Sequence, residues 1–385
     1  MTDAIPLPAH SVVLILGNAR RSDPVVYLAD TIPAISCPWN VQKPDESLER
    51  LHAALDKGRP VRVVMLNSNG KARRAVASAA KRRGAVAIAL RLPGGETMAA
   101  DEGYARVHDL ASDARPEFPI VPSPCDLTHL TGPFDFVGDV HGCLEELIAL
   151  LILLGHVDAA TRMPQRHPEG RTLVLLGDLT DRGPANLAVL RLVRELEAVG
   201  ALRVKGNHDE KLARWMRGNR KIRVAAGIAG TIAELEHLPD EELHEMGVWL
   251  GSAEPHVMLD GGRVAAAHAG IDERNQGRRS PGAQSFGLYG AATGLLDEHD
   301  VPIALDWALD YAGAAVVVHG HVVHAEPRIV NKVVAIDTGC VFGGSLTAYR
   351  WPERTFESVP ARGRFVEDRT ADVPTGEYVM KNASA

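Results

Sequence analysis

The chain has 385 residues, 45% apolar and 24% charged, which are values of an ordinary globular protein long enough for two domains. Its net charge of −7 and pI near 6.1 speak against a purely electrostatic nucleic-acid binder, though not against a local basic groove. The four cysteines (Cys37, Cys125, Cys143, Cys340) form no C-x-x-C pair, no N-terminal signal is visible, and the longest apolar run, near Leu147 to Leu154, is far below membrane-spanning length, so a reducing, cytoplasmic setting with no membrane partner is expected.

Val12 to Leu16 is a short, apolar, β-rich run. Val61 to Leu66 and Ala85 to Leu92 are two more, and Gly70 to Arg83 between them is an Ala-rich, basic helix candidate. Strands alternating with helices imply an α/β domain with a parallel sheet over residues 1–113. Pro116, Pro119, Pro122 and Pro124 fall within nine residues and mark a linker, placed at 114–132. A second domain is placed at 133–360. In it Phe134 to Val137, Thr172 to Leu176 and Leu202 to Lys205 read as strands that run into Gly138-Asp139, Gly177-Asp178 and Gly206-Asn207. Helices follow each: Cys143 to Leu154, Asn186 to Val199 and Glu210 to Arg217. Later strands end at His268 and near His321. The polar tail, 361–385, reads as loosely held.

Five short motifs thus follow predicted strands in order: Gly138-Asp-Val-His-Gly142, Gly177-Asp-Leu-Thr-Asp-Arg-Gly183, Gly206-Asn-His-Asp209, Ala267-His-Ala-Gly270 and His319-Gly-His321. The C-terminal end of a strand is where open α/β sheets place ligands. Glycines beside each polar residue permit sharp turns and close backbone approach. One Gly-Asp or one His is usually structural; five such motifs in sequence are not. Asp, His and Asn without thiolate suit Mn, Fe, Zn or Mg better than a structural zinc site. A two-metal centre can activate a bridging water and clamp phosphoryl oxygens.

The order and composition of these motifs resemble the calcineurin-like metallophosphoesterases, in their phosphoprotein-phosphatase branch. Further segments, Ser285-Phe-Gly-Leu-Tyr-Gly290, Asp306-Trp307, Asp337-Thr-Gly-Cys-Val-Phe-Gly-Gly344 and Trp351-Pro-Glu353, are similar to the phosphatase module of bacterial polynucleotide kinase-phosphatase and to its relatives of the diadenosine-tetraphosphatase-like group. The likeness runs from about Phe134 to Glu353 and crosses segments with no metal role. It implies a four-layer α-β-β-α metallophosphoesterase fold preceded by a smaller P-loop-like α/β domain. It also implies two divalent ions, Mn²⁺ first, then Fe, Zn, Ni, Co or Mg. Asp139 and His141 would bind the first metal, Asp178 both, and Asn207, His268 and His321 the second. His208 would protonate the leaving oxygen, paired with Asp181; Arg182 would hold a phosphate oxygen; Asp337 would belong to the site.

In that family a P-loop kinase precedes the phosphatase. Here Val12 to Gly17 has the strand-and-glycine start of such a loop, but the pattern G-x-x-x-x-G-K-S/T fails beyond it: Ser22, Asp23 and Pro24 stand at the glycine, lysine and Ser/Thr positions. Asp23 puts a negative charge where phosphates need a cation, and Arg20 and Arg21 do not rebuild the loop. The first domain therefore reads as a degenerate P-loop-like unit that needs no ATP. Lys71, Arg73, Arg74, Lys81, Arg82 and Arg83 can form a phosphate-following helix face, the plainer alternative being a solvated surface.

The first substrate expectation is nucleic-acid ends (3′-, 2′- or 2′,3′-cyclic phosphate) or nucleotides, with Arg274, Arg278 and Arg279 as candidate phosphate contacts. A dinucleoside-tetraphosphatase is second. A protein Ser/Thr phosphatase is third, because Asp209 stands where that group usually has Glu. A non-enzymatic RNA-end-binding module is the alternative from another class.

Overall fold

The structure, a computed structural model, describes residues 4–17, 28, 31–40, 42–57, 59–66, 69–93, 97–111, 114, 116–219, 226–296 and 302–366. They fall into two compact units, Met1–Pro124 with Gly277–Gln284 and Cys125–Gln276 with Ser285–Ala385.

In the first unit β1 (Ser11–Gly17), β2 (Ile35–Ser36), β3 (Val61–Leu66), β4 (Val86–Arg91) and β5 (Arg106–Asp109) form a parallel sheet in the order β2-β3-β1-β4-β5. Helices α1 (Pro44–Leu55) and α2 (Gly70–Arg82) accompany it. Strand β1 is buried on both faces: Val12, Leu14 and Leu16 join one apolar cluster, Val13 and Ile15 another. That double burial is why it reads as a continuous apolar run rather than an alternation. Asn69 starts α2 by accepting the Ala72 N–H at 2.9 Å. The basic run on α2 is not one solvated stripe. Arg73 is 4% exposed and its guanidinium holds Glu102 at 2.7 and 2.8 Å. The altered phosphate loop, Arg20 to Pro24, lies outside the described residues.

The second unit is built on two five-stranded sheets. The first takes β6 (Phe134–Val137), β7 (Thr172–Leu175), β8 (Leu202–Arg203), β14 (Ser345–Trp351) and β15 (Thr355–Pro360) in the order β8-β7-β6-β14-β15. The second takes β9 (His256–Leu259), β10 (Val264–Ala267), β11 (Val316–His319), β12 (Arg328–Val330) and β13 (Val333–Ala335) in the order β9-β10-β11-β13-β12. Phe134, Phe136, Val174, Leu176 and Tyr349 of the first meet Val257, Leu259, Val264, Ala266 and Val318 of the second in one cluster. On its other face the first sheet sends Val137, Leu173, Leu175 and Leu346 against α3 (Leu144–Leu154), α4 (Asn186–Ala198), α5 (Asn207–Met216) and α7 (Asp240–Gly251). Side-chain alternation, with a period of two, thus divides each strand between two apolar layers. The outer face of the second sheet is covered by shorter pieces: Trp307 lies 5.6 Å from the His319 ring and 5.3 Å from Phe286, which belongs to α8 (Pro281–Tyr289). This two-sheet, mixed α/β arrangement agrees with the fold that the resemblance implies.

Two boundaries differ from the sequence reading. Helix α5 begins at Asn207, three residues before the expected Glu210, because Asp209 accepts the Gly206 N–H at 3.0 Å and closes the first turn. The tail is held through residue 366: the N–H groups of Ala361, Arg362 and Phe365 donate to Gly344 O, Glu146 Oε1 and Val341 O. No described helix is long and apolar enough to cross a membrane.

One charge in the helix-facing layer is fully enclosed. Asp135 (0% exposed) accepts from Arg171 at 2.9 Å and Arg350 at 3.2 Å and pairs with His156 at 2.9 Å, while Arg171 also grips Glu353 at 2.8 Å. Burial alone would raise its pKa, but the His156 hydrogen bond and the Arg171 charge hold it below the usual carboxylate value. Asp135→Ala strands Arg171 in the interior and should cost about 3–5 kcal/mol in urea denaturation; a change under about 1 kcal/mol would show the network to be marginal.

Candidate active site

Strands β6, β7 and β8 run parallel to one another, as do β10 and β11, so the loops leaving their C-terminal ends gather side by side. Those loops carry Asp139 and His141, Asp178, Asn207, His268 and His321. Among the described residues nine non-glycines adopt positive φ, and five of them are His141 (44°), Asp178 (46°), Asp181 (77°), Arg182 (71°) and His321 (69°). Strain of this kind concentrates where a side chain must be aimed.

The ligand candidates form two groups that share Asp178. Atoms of Asp139, His141 and Asp178 lie within 4.8 Å of one another, as do those of Asp178, His268 and His321. Asn207 joins the second group: His268 Nε2 is 2.9 Å from Asn207 Oδ1, 3.0 Å from His321 Nδ1 and 3.4 Å from Asp178 Oδ2. A carbonyl oxygen only accepts, which fixes two tautomers. His268 donates from Nδ1 to Leu176 O at 3.0 Å, and His141 donates from Nδ1 to Thr180 O at 2.8 Å. Both rings therefore aim an Nε2 lone pair into the cluster. His268 Nε2 and Asn207 Oδ1 then face each other as two acceptors, an arrangement that a divalent cation between them makes favourable. The donor set fits a metal centre.

Electrostatics agree. Burial would raise the Asp178 carboxyl, but the imidazoles of His268, His208, His141 and His321 together bring it well below its ordinary value. Asp139 moves up, first through burial and then through the charges of Asp337 and Asp178. Burial drives His141, His268 and His321 toward the neutral, metal-binding form.

Beside the cluster His208 Nδ1 donates to Asp181 Oδ2 at 2.6 Å, and the His208 backbone N–H donates to Asp178 Oδ1 at 3.0 Å. Arg182 Nη1 donates to His141 Nε2 at 2.8 Å, and its guanidinium lies 5.6 Å from the Phe342 ring centre. One lone pair serves Arg182 or a cation, not both. Asp337, 5% exposed, accepts the Gly339 N–H at 2.9 Å. Arg274 is exposed. Arg278 belongs to the first unit and donates to Asp56 O, and Arg279 lines a groove there with Ala77, Lys81 and Tyr104.

A family model described as calcineurin-like phosphoesterase matches residues 132–325. The chain belongs to the calcineurin-like phosphoesterases. Among its relatives is the asymmetrical bis(5'-nucleosyl)-tetraphosphatase PrpE of Halalkalibacterium halodurans, 41% identical over 246 residues that make up 63% of this chain and 99% of that protein. The protein of the same name from a Geobacillus species is 40% identical over 61% of this chain and 97% of its own length, and that from Bacillus subtilis is 42% identical over 61% and 98%. The chain is a metal-dependent phosphoesterase, and its family's divalent-metal chemistry meets a matching donor set at Asp178.

Sequence reading named the ligand candidates and the His208–Asp181 pair, which the structure places close together, but not the groups that support them. Thr231, Glu234 and Asn186 hold the 181–187 loop, and Phe342 underlies Arg182. None stands in a motif of ligand type, and Thr231 and Glu234 come from a helix about 50 residues downstream of the loop.

Two glycines are required by the carboxylates themselves. A methyl group on Gly320 would lie 1.9 Å from Asp139 Oδ1, and one on Gly206 would lie 2.1 Å from Asp178 Oδ1. Gly320→Ala should weaken Mn²⁺ binding in calorimetry by about 10–100-fold with the far-UV circular dichroism unchanged. An unaltered affinity would remove Asp139 from the ligand set.

Proposed function

We propose that this phosphoesterase hydrolyses dinucleoside polyphosphates, with two divalent ions at the Asp178 cluster and Mn²⁺ the first choice. The observation that carries the reading is the 41% identity across 99% of the Halalkalibacterium tetraphosphatase. It moves the runner-up of the sequence reading ahead of nucleic-acid ends, which rest on motif resemblance alone. A protein phosphatase stays third.

In this reading Asp139 and His141 would hold one ion, Asn207, His268 and His321 the other, and Asp178 would contribute to both. The bound ions would supply an activated water and neutralise charge on the phosphoryl oxygens. The chain's own residues do the rest. His208 gives a proton to the leaving oxygen while that oxygen keeps the electron pair of the breaking P–O bond and the water oxygen becomes bonded to phosphorus. Asp181 orients the His208 ring through Nδ1–H. Arg182, freed from His141, binds a non-bridging oxygen with a planar fork of donors. Asp337 acts through its charge on Asp139. Arg274 remains the candidate contact for outer phosphates; the engagement of Arg278 with Asp56 favours a structural role. The first unit serves as a separate α/β domain without ATP chemistry, a view supported by Asp23 and Pro24 in the sequence.

The test is a substrate panel with Mn²⁺: diadenosine tetraphosphate, a 3′-phosphate oligonucleotide, a cyclic 2′,3′-nucleotide and a phosphopeptide. Diadenosine tetraphosphate should give the highest kcat/KM and two unequal nucleotides. Faster turnover of the oligonucleotide would overturn the substrate assignment. His208→Ala should lower kcat by about 10²–10⁴-fold at nearly constant KM.

A further inference from the structure

The pair His208–Asp181 has a third member. Asp181 is fully buried, and each carboxylate oxygen has one close partner: Oδ2 takes the His208 Nδ1–H at 2.6 Å, and Oδ1 takes the Thr231 hydroxyl at 2.6 Å. The carboxylate only accepts, so the Thr231 hydrogen must point at it. Thr231 is itself 0% exposed, and water does not compete for the bond.

Thr231 lies on α6 (Ala226–Leu235), and its neighbours on one helix face serve the same loop. Gly227 O accepts the Arg182 N–H at 2.9 Å. Glu234 accepts from Asn186 Nδ2 at 2.6 Å and from the Leu187 N–H at 2.9 Å. Asn186 in turn accepts the Asp181 N–H at 2.8 Å and donates to Gly183 O at 2.9 Å. Positions 227, 231 and 234 are spaced i, i+4, i+7, which is one stripe of a helix. That stripe grips the loop at the backbone of Arg182, the side chain of Asp181 and the start of α4.

We propose that Thr231 is a positioning residue for proton donation: by fixing the Asp181 carboxylate it fixes the plane and tautomer of the His208 ring. The inference rests on the assignment of His208 as proton donor. Two bonds to opposite oxygens define the carboxylate plane. With the Thr231 bond removed, the carboxylate turns about its last torsion, and the imidazole that hangs from Oδ2 turns with it.

Proton donation matters in proportion to the basicity of the leaving group, and this separates positioning from packing. Wild type, Thr231→Val and Thr231→Ser are compared on p-nitrophenyl phosphate and phenyl phosphate with Mn²⁺. Phenol is the poorer leaving group and needs the proton more. Thr231→Val, close to isosteric but without the hydroxyl, should lose about 10–100-fold in kcat on phenyl phosphate, less than about threefold on p-nitrophenyl phosphate, with KM unchanged on both. Thr231→Ser should recover most of the loss. An equal loss on both substrates, or no rescue by serine, would reduce Thr231 to packing. The downfield proton resonance of His208 Nδ1–H gives a reading that needs no turnover. It should shift in Thr231→Val and hold in Thr231→Ser, and an unmoved resonance would overturn the proposal even for a variant that turns over poorly. If wild type turns over neither ester while the resonance still shifts in Thr231→Val, the assignment of His208 as proton donor is what fails, not the link from Thr231 through Asp181 to the ring.

Discussion

A single carboxylate sets the terms for this site. Asp178 is 2% exposed, and four imidazoles surround it. An ionised carboxylate so enclosed costs several kcal/mol unless charges and hydrogen bonds compensate it. Its Oδ1 takes the His208 N–H, and its Oδ2 faces His268 at 3.4 Å and His141 at 3.7 Å. Every other feature of the centre is a way of bringing five chain segments to within a few ångströms of that one group. Two sheets with parallel strands at their hearts accomplish it, because each loop then leaves from the same end of its sheet.

The convergence strains the backbone. Left-handed conformations at His141, Asp178, Asp181, Arg182 and His321 cost about 1–3 kcal/mol each, so together they rival the net stability of about 5–15 kcal/mol expected of a domain. Such loops persist only where neighbours over-determine them. Here an apolar layer lies on each face of the first sheet, and polar ties cross between loops: His321 N–H to Asp139, Leu179 N–H to Asp209, Arg182 N–H to Gly227 O. Asp209 shows how one residue can serve both ends. Its carboxylate caps α5 at Gly206 and anchors the Asp178 loop at Leu179, and burial, with the Asp178 charge, raises its pKa to about 6.

What could be read from the sequence follows from this arrangement. The ligand candidates could be named because each sits at or just beyond a strand end with a glycine within two residues, which leaves a local mark. The strands that lead into the motifs, with β1, β3 and β4, were legible because burial makes them apolar; β2, β5, β9 and β12 to β15 were not read from the sequence, and β5 (Arg106–Asp109) is largely exposed and carries no such mark. The start of α5 was misplaced because Asn207 and His208 look like loop residues until Asp209 is seen to cap them. Arg73 looked like a member of a basic face because Glu102, which draws it inside, lies 29 residues away. Thr231 and Glu234 left no mark for the same reason: their partners are remote in sequence, and Thr or Glu in a helix signals nothing by itself. The ligand candidates follow a pattern of spacing; the groups that hold their loops follow only the fold.

The same distinction bears on the substrate. In the proposed mechanism the six ligand candidates and His208 would serve a phosphoester or a phosphoanhydride alike, so the interior of the site does not choose between them. A terminal phosphate on a nucleic acid leaves a basic sugar oxygen and depends strongly on proton donation. A cleaved polyphosphate leaves a weakly basic phosphate oxygen and depends on it less, while it carries more negative charge to be bound outside the cluster. On the proposed reading, selectivity for a dinucleoside polyphosphate would come from cationic groups outside the cluster rather than from His208, Asp181 and Thr231. In the proposed mechanism Arg182, which lies against Phe342 and donates to His141 Nε2, joins the two: exchanging His141 for a phosphate oxygen would let it meet the particular charge of the substrate.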